Sequence, residues 1–157
     1  MTALVVADAS PLIAFQQIGR LQLLRAVFGE LIVPPSVIRE ILASVPPEPW
    51  IVERALTQPV VPLVLRANLG AGQSEALSLA MEIGAERLLV DERAARRVAG
   101  TLGLRVVGTL GVLLAAKRKG LIVELRPLLD QLLHQGFWIA PRLVKQALIT
   151  AGEGGSP

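Results

Sequence analysis

The chain has 157 residues, of which 52% are hydrophobic and 18% charged, a size and composition that suit one globular domain with a sizeable core. Aromatic residues make up only 3%, with no Tyr, so the core must be aliphatic and a base-stacking nucleic-acid platform is disfavoured. The absence of Cys excludes disulfides and thiolate metal sites, while a net charge of +3 and a pI of about 10.2 permit a phosphate-rich partner without requiring one.

Short apolar runs that end at turn residues predict buried parallel strands in the first half of the chain, each followed by a helix. Ser10 is a good N-cap and Pro11 a good first helical residue, so a helix is expected to begin there. Segment 50–70 predicts a short strand and a helical piece. The other predicted elements are a strand at 4–7, helices at 10–19 and 21–28, a strand at 31–33 and a helix at 36–42.

The second half of the chain repeats this alternation, with glycines as helix stops. Thr109 can cap the helix that follows the last strand, and the cations at 117–119 lie in its last turn, where they favour the helix dipole. The predicted elements are a helix at 73–83, a strand at 87–90, a helix at 92–102, a strand at 105–107, and helices at 110–119, 127–135 and 141–151.

Strands that alternate with helices predict a three-layer α/β/α sandwich with a mostly parallel central sheet. We expect a core over residues 1–120, a C-terminal helical extension over 121–151 packed on the same domain, and a disordered tail over 152–157. No basic leader precedes the first apolar run, and Asp8 follows it at once, so a signal peptide is not expected. Because no run of about 18 uncharged apolar residues occurs, a membrane span is not expected either, and we predict a cytoplasmic location.

The C-terminal extension is richer in apolar residues than a short capping segment needs. These residues are Leu128, Leu129, Leu132, Leu133, Phe137, Trp138, Ile139, Leu143 and Val144. Because a large exposed apolar patch usually marks an interface, we predict a homodimer that buries part of this segment.

Two predicted strands end at a carboxylate: Asp8 follows the first strand, and Asp91 follows the strand at 87–90. In an open parallel sheet, ligands bind beyond the carboxyl ends of the strands, so both side chains should point into that crevice. Either residue alone could be an ordinary turn or cap residue. The same feature on two strands favours a functional site.

Two glutamates are candidates to join these aspartates. Glu40 lies at the edge of the apolar face of its helix, where a carboxylate costs desolvation unless it is paired. Glu75 begins the helix after a Gly-rich loop. Each also has an ordinary interpretation, Glu40 as a solvated flanking charge and Glu75 as a first-turn acid that complements the helix dipole. Four converging carboxylates would repel each other, and a hard cation such as Mg²⁺ or Mn²⁺ would relieve that repulsion.

Basic residues lie close to the proposed crevice. Arg93, Arg96 and Arg97 follow Asp91 directly and could contact phosphates, although they could equally form a solvated helix face. The only histidine, His134, is expected at the surface of a late helix rather than in a metal site.

The four acids lie in segments whose sequences and order resemble the motifs of one family. The first run, VVADASPLI at 5–13, is similar to a strand–Asp–x–Ser turn, and VPPSVIRE at 33–40 is similar to a proline-started helix that carries a Glu. GQSEAL at 72–77 and LLVDER at 88–93 resemble segments that supply a third and a fourth acid. Together, over about the first three-quarters of the chain, they resemble the PIN-domain nucleases. The resemblance is to a poorly characterised prokaryotic branch, related to the toxin ribonucleases of toxin–antitoxin modules.

This resemblance implies a PIN-like fold and a Mg²⁺- or Mn²⁺-dependent endoribonuclease acting on single-stranded or structured RNA, with an antitoxin protein as a further partner. The implied catalytic and metal-binding acids are Asp8, Glu40, Glu75 and Asp91. The resemblance also implies that the Ser10 hydroxyl supports the site, and the three arginines after Asp91 become candidate RNA contacts. Glu75 stands where better-studied members more often carry Asp, and the segment after Gly120 has no counterpart that we can assign.

Two other classes of protein remain open. A non-enzymatic module with the same fold and a weakened site would act through protein contacts, which the apolar C-terminal helices favour. A phosphotransferase or phosphatase of another α/β class would also carry an Asp after its first strand, but such enzymes usually need a second Asp where this chain has Ser10. No Gly-x-x-x-x-Gly-Lys run occurs, which excludes a P-loop, and residues 8–12 contain no glycine, which disfavours a dinucleotide fold.

Overall fold

The computed structural model describes residues 3–154 of the chain. Its strands are β1 (Val5–Ala7), β2 (Leu31–Val33), β3 (Ile51–Glu53), β4 (Arg87–Leu89) and β5 (Val106–Val107). They form a central sheet in the order β3-β2-β1-β4-β5, and each neighbouring pair is parallel. Val6 of β1 lies in register with Ile32 on one side and with Leu88 on the other.

Helices connect the strands and continue beyond the last one. They are α1 (Ala9–Gln17), α2 (Leu21–Phe28), α3 (Pro35–Ile41), α4 (Pro62–Arg66), α5 (Ala71–Ile83), α6 (Arg93–Thr101), α7 (Thr109–Arg118), α8 (Arg126–His134) and α9 (Pro141–Thr150). Two predicted N-cap residues are wrong. The N-cap of α1 is Asp8 rather than Ser10, and the N-cap of α7 is Gly108 rather than Thr109. Within residues 3–154, no helix combines the length and the apolar character needed to cross a membrane.

The apolar side chains of the strands alternate between the two faces of the sheet. In β1, Val5 and Ala7 belong to one buried cluster and Val6 belongs to the other, as the two-residue period of a strand requires. Helices α1, α2, α3, α7, α8 and α9 contribute to the first cluster, and α4, α5 and α6 contribute to the second. The predicted α/β/α sandwich around a parallel sheet is confirmed.

The order of the strands reverses at β1. Strands β2 and β3 add to one side of β1, while β4 and β5 add to the other side. The chain segments that leave β1 and β4 therefore diverge, and in doubly wound folds the crevice at such a point binds ligands. Asp8 directly follows β1, and Asp91 follows β4 after one intervening residue, so both acids lie at this edge.

The C-terminal helices belong to the main core. Leu128, Leu129, Leu132 and Ile139 are buried in the same cluster as β1, and Phe137 and Val144 pack against that cluster. Trp138 remains 75% exposed, and Leu133 and Leu143 are also partly open to solvent. The apolar content that led us to predict a homodimer is thus largely explained by the protein's own core.

Glu153 lies in the segment predicted to be a disordered tail, but its side chain is anchored to α8. Its carboxylate accepts hydrogen bonds from the backbone N–H of Leu125 at 2.6 Å and of Arg126 at 3.1 Å, and from Lys117 Nζ at 3.0 Å. The N-cap of α8 is Leu125, which has no polar side chain, so its first N–H groups need an acceptor from elsewhere. Residues 155–157 of the predicted tail lie outside the described residues.

Candidate active site

Asp8 is a buried carboxylate at the carboxyl edge of the sheet. It occupies the N-cap position of α1 and is only 2% exposed. Its Oδ1 atom has no hydrogen-bond partner within residues 3–154. Buried polar atoms are nearly always satisfied in folded proteins, so this oxygen needs an explanation beyond the stability of the fold.

Glu40 of α3 is an exposed residue, and its carboxylate faces the same space as Asp8. A Cβ atom placed on Gly72, near the start of α5, would overlap Oε1 of Glu40 and lie 3.5 Å from Oδ1 of Asp8. The two carboxylates therefore converge on one small space, and that space exists because residue 72 has no side chain.

Asp91 lies at the same edge, but its oxygens are already hydrogen-bonded. Oδ1 accepts the backbone N–H of Thr109 at 2.7 Å, and Oδ2 accepts the Thr109 hydroxyl at 2.7 Å. Because the N-cap of α7 is Gly108, Asp91 supplies the missing cap from another element. Burial raises the pKa of Asp91, and the hydrogen bonds from Thr109 and the charge of Arg96 only partly oppose this effect.

Glu75 points to the start of α3. Its Oε1 accepts the backbone N–H of Ser36 at 3.1 Å, and its Oε2 accepts the Ser36 hydroxyl at 2.6 Å. The hydroxyl of Ser36 in turn accepts a hydrogen bond from Arg39 at 2.9 Å. Glu75 is thus on the same side of the fold as the other predicted acids, but it is engaged by α3.

The electrostatics of the crevice centre on Asp8. Burial is the main cause that raises the pKa of Asp8, a hydrogen bond from the Ala9 N–H opposes it, and the charges of Glu40, Asp91 and Glu92 add to it, so that the pKa reaches about 6 in all. The residues that act on Asp8 thus include Glu92, which the sequence analysis did not single out as an acid of the site.

Glu92 is the exposed N-cap of α6 and accepts a hydrogen bond from the side chain of Gln73 at the start of α5. It directly follows Asp91, so the pair of adjacent acids after a buried strand was a signal in the sequence that could have identified it. Gln73 and Thr109 were missed as partners of these acids, because their contacts depend on how separate helices pack.

The remaining predicted site residues lie at the rim. Ser10 is the second residue of α1 and is exposed, and its hydroxyl makes no hydrogen bond in the described part of the chain. Arg93, Arg96 and Arg97 are exposed along α6. Arg96 lies near Asp91, because a Cβ on Gly108 would lie 3.0 Å from both Arg96 Nη1 and Asp91 Oδ1.

The donor set fits a hard divalent cation. Among residues 3–154, no group of three or more His, Cys, Asp or Glu side chains has the geometry to hold a metal ion by itself. Mg²⁺, however, usually binds through one or two carboxylates and completes its shell with water and substrate phosphates. The free Oδ1 of Asp8 and the adjacent Oε1 of Glu40 form such a pair, and Asp91 keeps lone pairs beyond the two that Thr109 uses.

A family model described as a PIN domain matches residues 4–153, so the chain belongs to the PIN-domain family. The match includes α8 and α9, for which the sequence analysis had assigned no counterpart in the family. PIN domains are in general nucleases, and the chain therefore has a nuclease-type fold. No curated protein matches the chain.

Proposed function

We propose that the chain is a Mg²⁺- or Mn²⁺-dependent endoribonuclease that hydrolyses RNA phosphodiester bonds in the cytoplasm. The observation that carries the proposal is the Asp8 carboxylate, which is 2% exposed yet leaves Oδ1 without a partner in the described chain. Such an oxygen costs folding stability unless a cation or donor arrives. Its convergence with Glu40 in a nuclease-type fold supports a role in holding that cation.

The acids of the crevice have different roles in holding the cation. We assign cation binding to Asp8 and Glu40, with Asp91 as a third acid whose rotamer is fixed by Thr109. When bound, a divalent cation neutralises charge on the phosphate and lowers the pKa of water at the site. Asp8 follows a fully buried strand, so its carboxylate is held in place before substrate arrives, and little reordering is needed on binding.

RNA would be held mainly through its phosphates. Arg93, Arg96 and Arg97 lie exposed on α6 beside the acids, and we assign them to contacts with phosphate oxygens. Ser10, exposed on the first turn of α1, is assigned a supporting contact next to Asp8. The scarcity of aromatic residues argues against strong base stacking, so we expect phosphate contacts to dominate RNA binding.

Metal removal tests this function. We expect the purified chain to cleave single-stranded or structured RNA with Mg²⁺ or Mn²⁺, to lose cleavage in EDTA and to regain it when metal is restored. Asp8→Asn, purified in parallel, controls for contaminating ribonuclease. Full activity in EDTA, or equal cleavage by Asp8→Asn, would show that the proposed mechanism is wrong.

A second candidate is a catalytically weak PIN-like module that acts through protein contacts. The observation that favours it is the engagement of Asp91 by Thr109 and of Glu75 by Ser36, which leaves few free carboxylate oxygens in the crevice. Absence of RNA cleavage under every metal condition would make this the better proposal.

The physiological role that we propose is the toxin of a toxin–antitoxin pair, with an antitoxin protein as partner. Induced expression should then arrest growth in the wild type but not in Asp8→Asn at equal protein level. We also keep the homodimer as a proposal. It now depends on the exposed apolar side chains of the C-terminal segment, such as Trp138, and light scattering at micromolar concentration tests it.

A further inference from the structure

Glu75, which the family resemblance implies as a metal-binding acid, is engaged by another helix in this structure. Both of its carboxylate oxygens accept hydrogen bonds from one residue, Ser36, which is 4% exposed. The N-cap of α3 is Pro34, whose side chain cannot accept a hydrogen bond, so the early N–H of Ser36 needs an acceptor from outside the helix. Glu75 of α5 supplies it.

This contact and the Glu40–Gly72 approach form two successive links between α3 and α5. Along α3, Glu40 lies one helical turn after Ser36, and along α5, Gly72 lies one turn before Glu75. Ser36 is therefore linked to Glu75, and Glu40 lies against Gly72, on the facing sides of the two helices. A helix fixed at one such link has little freedom to rotate or slide at the next.

We propose that Glu75 is a positioning residue and not a metal ligand: with Ser36 it fixes α3 on α5 so that the carboxylate of Glu40 faces Gly72 and Asp8. This inference rests on the proposed function of the site. Arg39 adds to the link, because it donates to the hydroxyl through which Ser36 contacts Glu75.

The test compares Mn²⁺ affinity, measured by isothermal titration without RNA, with kcat and KM for RNA cleavage. We expect Ser36→Ala and Glu75→Ala each to weaken Mn²⁺ affinity and lower kcat by about 10-fold to 100-fold, the range typical of residues that orient ligands. The double variant should be no worse than Glu75→Ala alone, because Glu75→Ala already removes both hydrogen bonds of the link. Glu75→Gln, which keeps an acceptor for the Ser36 N–H, should recover most of the affinity that Glu75→Ala loses.

A matched control exists on the same helix. Glu82 of α5 accepts the backbone N–H and hydroxyl of Thr57, at 3.0 and 2.9 Å, in the same way that Glu75 accepts those of Ser36. Thr57→Ala should leave Mn²⁺ affinity unchanged, since this contact lies away from the acids. If Glu75→Ala does not fold, Ser36→Ala and Glu75→Gln still carry the comparison.

The opposite pattern would overturn the inference. If Glu75→Gln loses Mn²⁺ binding as completely as Asp8→Asn while Ser36→Ala keeps it, Glu75 is a ligand. A wild type that binds Mn²⁺ but cleaves no RNA would refute the proposed ribonuclease, while the affinities would still decide the role of Glu75. A wild type that neither binds Mn²⁺ nor cleaves RNA would refute both.

Discussion

Asp8 in the crevice and Glu153 at the C-terminal end of the chain are both carboxylates at the start of a helix, but their surroundings differ. Glu153 receives hydrogen bonds from Leu125, Arg126 and Lys117. Burial alone would raise the pKa of Glu153, but these donors outweigh it and lower the pKa. At Asp8 burial dominates, the neighbouring acids add to it, and the pKa rises to about 6.

The difference lies in hydrogen bonding: some acids satisfy the start of a helix, and Asp91 does so while it also lies at the crevice. Glu153, Glu75 and Asp91 each cap a helix whose own N-cap residue, Leu125, Pro34 or Gly108, lacks a polar side chain. Oδ1 of Asp8 accepts no hydrogen bond from the described residues. A strongly perturbed acid in a crevice is a candidate functional group, and here the perturbation has a stated physical cause.

Replacing Asp8 should remove the carboxylate that differs most from Glu153. In Asp8→Asn the shape is kept and the charge is lost, so we expect RNA cleavage to fall more than about 1,000-fold, equivalent to about 4 kcal/mol of activation free energy. Stability measured by urea unfolding at neutral pH should stay equal or increase, because a buried and repelled charge has been removed. An active Asp8→Asn, or one that is inactive only because it is unfolded, would contradict this expectation.

Asp8 and Glu153 should make the free energy of unfolding depend on pH with opposite slopes, because the pKa of Asp8 is raised and that of Glu153 is lowered. Between its ordinary pKa of 3.8 and about 6, folded Asp8 holds a proton that the unfolded chain has released, so stability falls as pH rises. The loss should approach about 3 kcal/mol, from 1.36 kcal/mol per pKa unit. Glu153, with a lowered pKa, contributes stability above its ordinary value of 4.5 and loses it as pH falls.

The free energy of unfolding is measured by urea unfolding without metal at pH values from 4 to about 7.5. The curves of Asp8→Asn and Glu153→Gln are each subtracted from the wild-type curve. Subtracting the Asp8→Asn curve isolates Asp8 from the other titrating acids, including Asp91, whose pKa is also raised. Parallel curves for wild type and Asp8→Asn would mean that the buried carboxylate does not have the perturbed pKa.

Gly72 tests whether the geometry of the crevice matters apart from stability. In Gly72→Ala the new Cβ would overlap Oε1 of Glu40 and push that carboxylate away from Asp8, while the helix itself gains propensity. We expect cleavage to fall about 10-fold to 100-fold, as for other misplacements near 1 Å, with stability unchanged or higher. Gly100→Ala is the control, because a Cβ at Gly100 of α6 would meet nothing within 4 Å. Equal RNA cleavage by both variants would show that activity does not depend on the position of the Glu40 carboxylate against Gly72.

Much of the fold could be predicted because its signals are local. The bounds of α2 and β2 agree with the predicted ones, since turn residues such as Gly29 and Pro34 limit short apolar segments. Asp8 and Asp91 could be assigned to one edge because the carboxyl ends of parallel strands meet there. That they bind metal stays a prediction.

The contacts that distinguish the acids could not be predicted, because they join residues far apart in the chain. Glu75 meets Ser36 across 39 positions, and Glu153 meets Leu125 across 28. Which helix a glutamate caps depends on the packing of helices and on side-chain rotamers, and neither has a local signature. From the sequence, Glu75 is therefore predicted as one of four converging acids and Glu153 as part of a tail.

The smallest expected effect concerns Glu153. Glu153→Gln keeps an acceptor for one N–H of α8 but loses the charge that attracts Lys117, so we expect unfolding free energy to fall by about 1–2 kcal/mol, as for other hydrogen bonds to charged groups. Because Lys117 belongs to α7, this contact joins the C-terminal end to the core. RNA cleavage at a temperature where the variant is fully folded should match the wild type.

Glu124→Gln serves as the matched control for this variant. Glu124 is exposed in the segment just before α8, so its replacement removes the same charge nearby and should change stability by less than about 0.5 kcal/mol. If Glu153→Gln and Glu124→Gln prove equally stable, the hydrogen bonds at the start of α8 contribute nothing measurable. If Glu153→Gln instead loses activity while folded, the C-terminal end is coupled to the crevice, and the separation drawn between the two carboxylates fails.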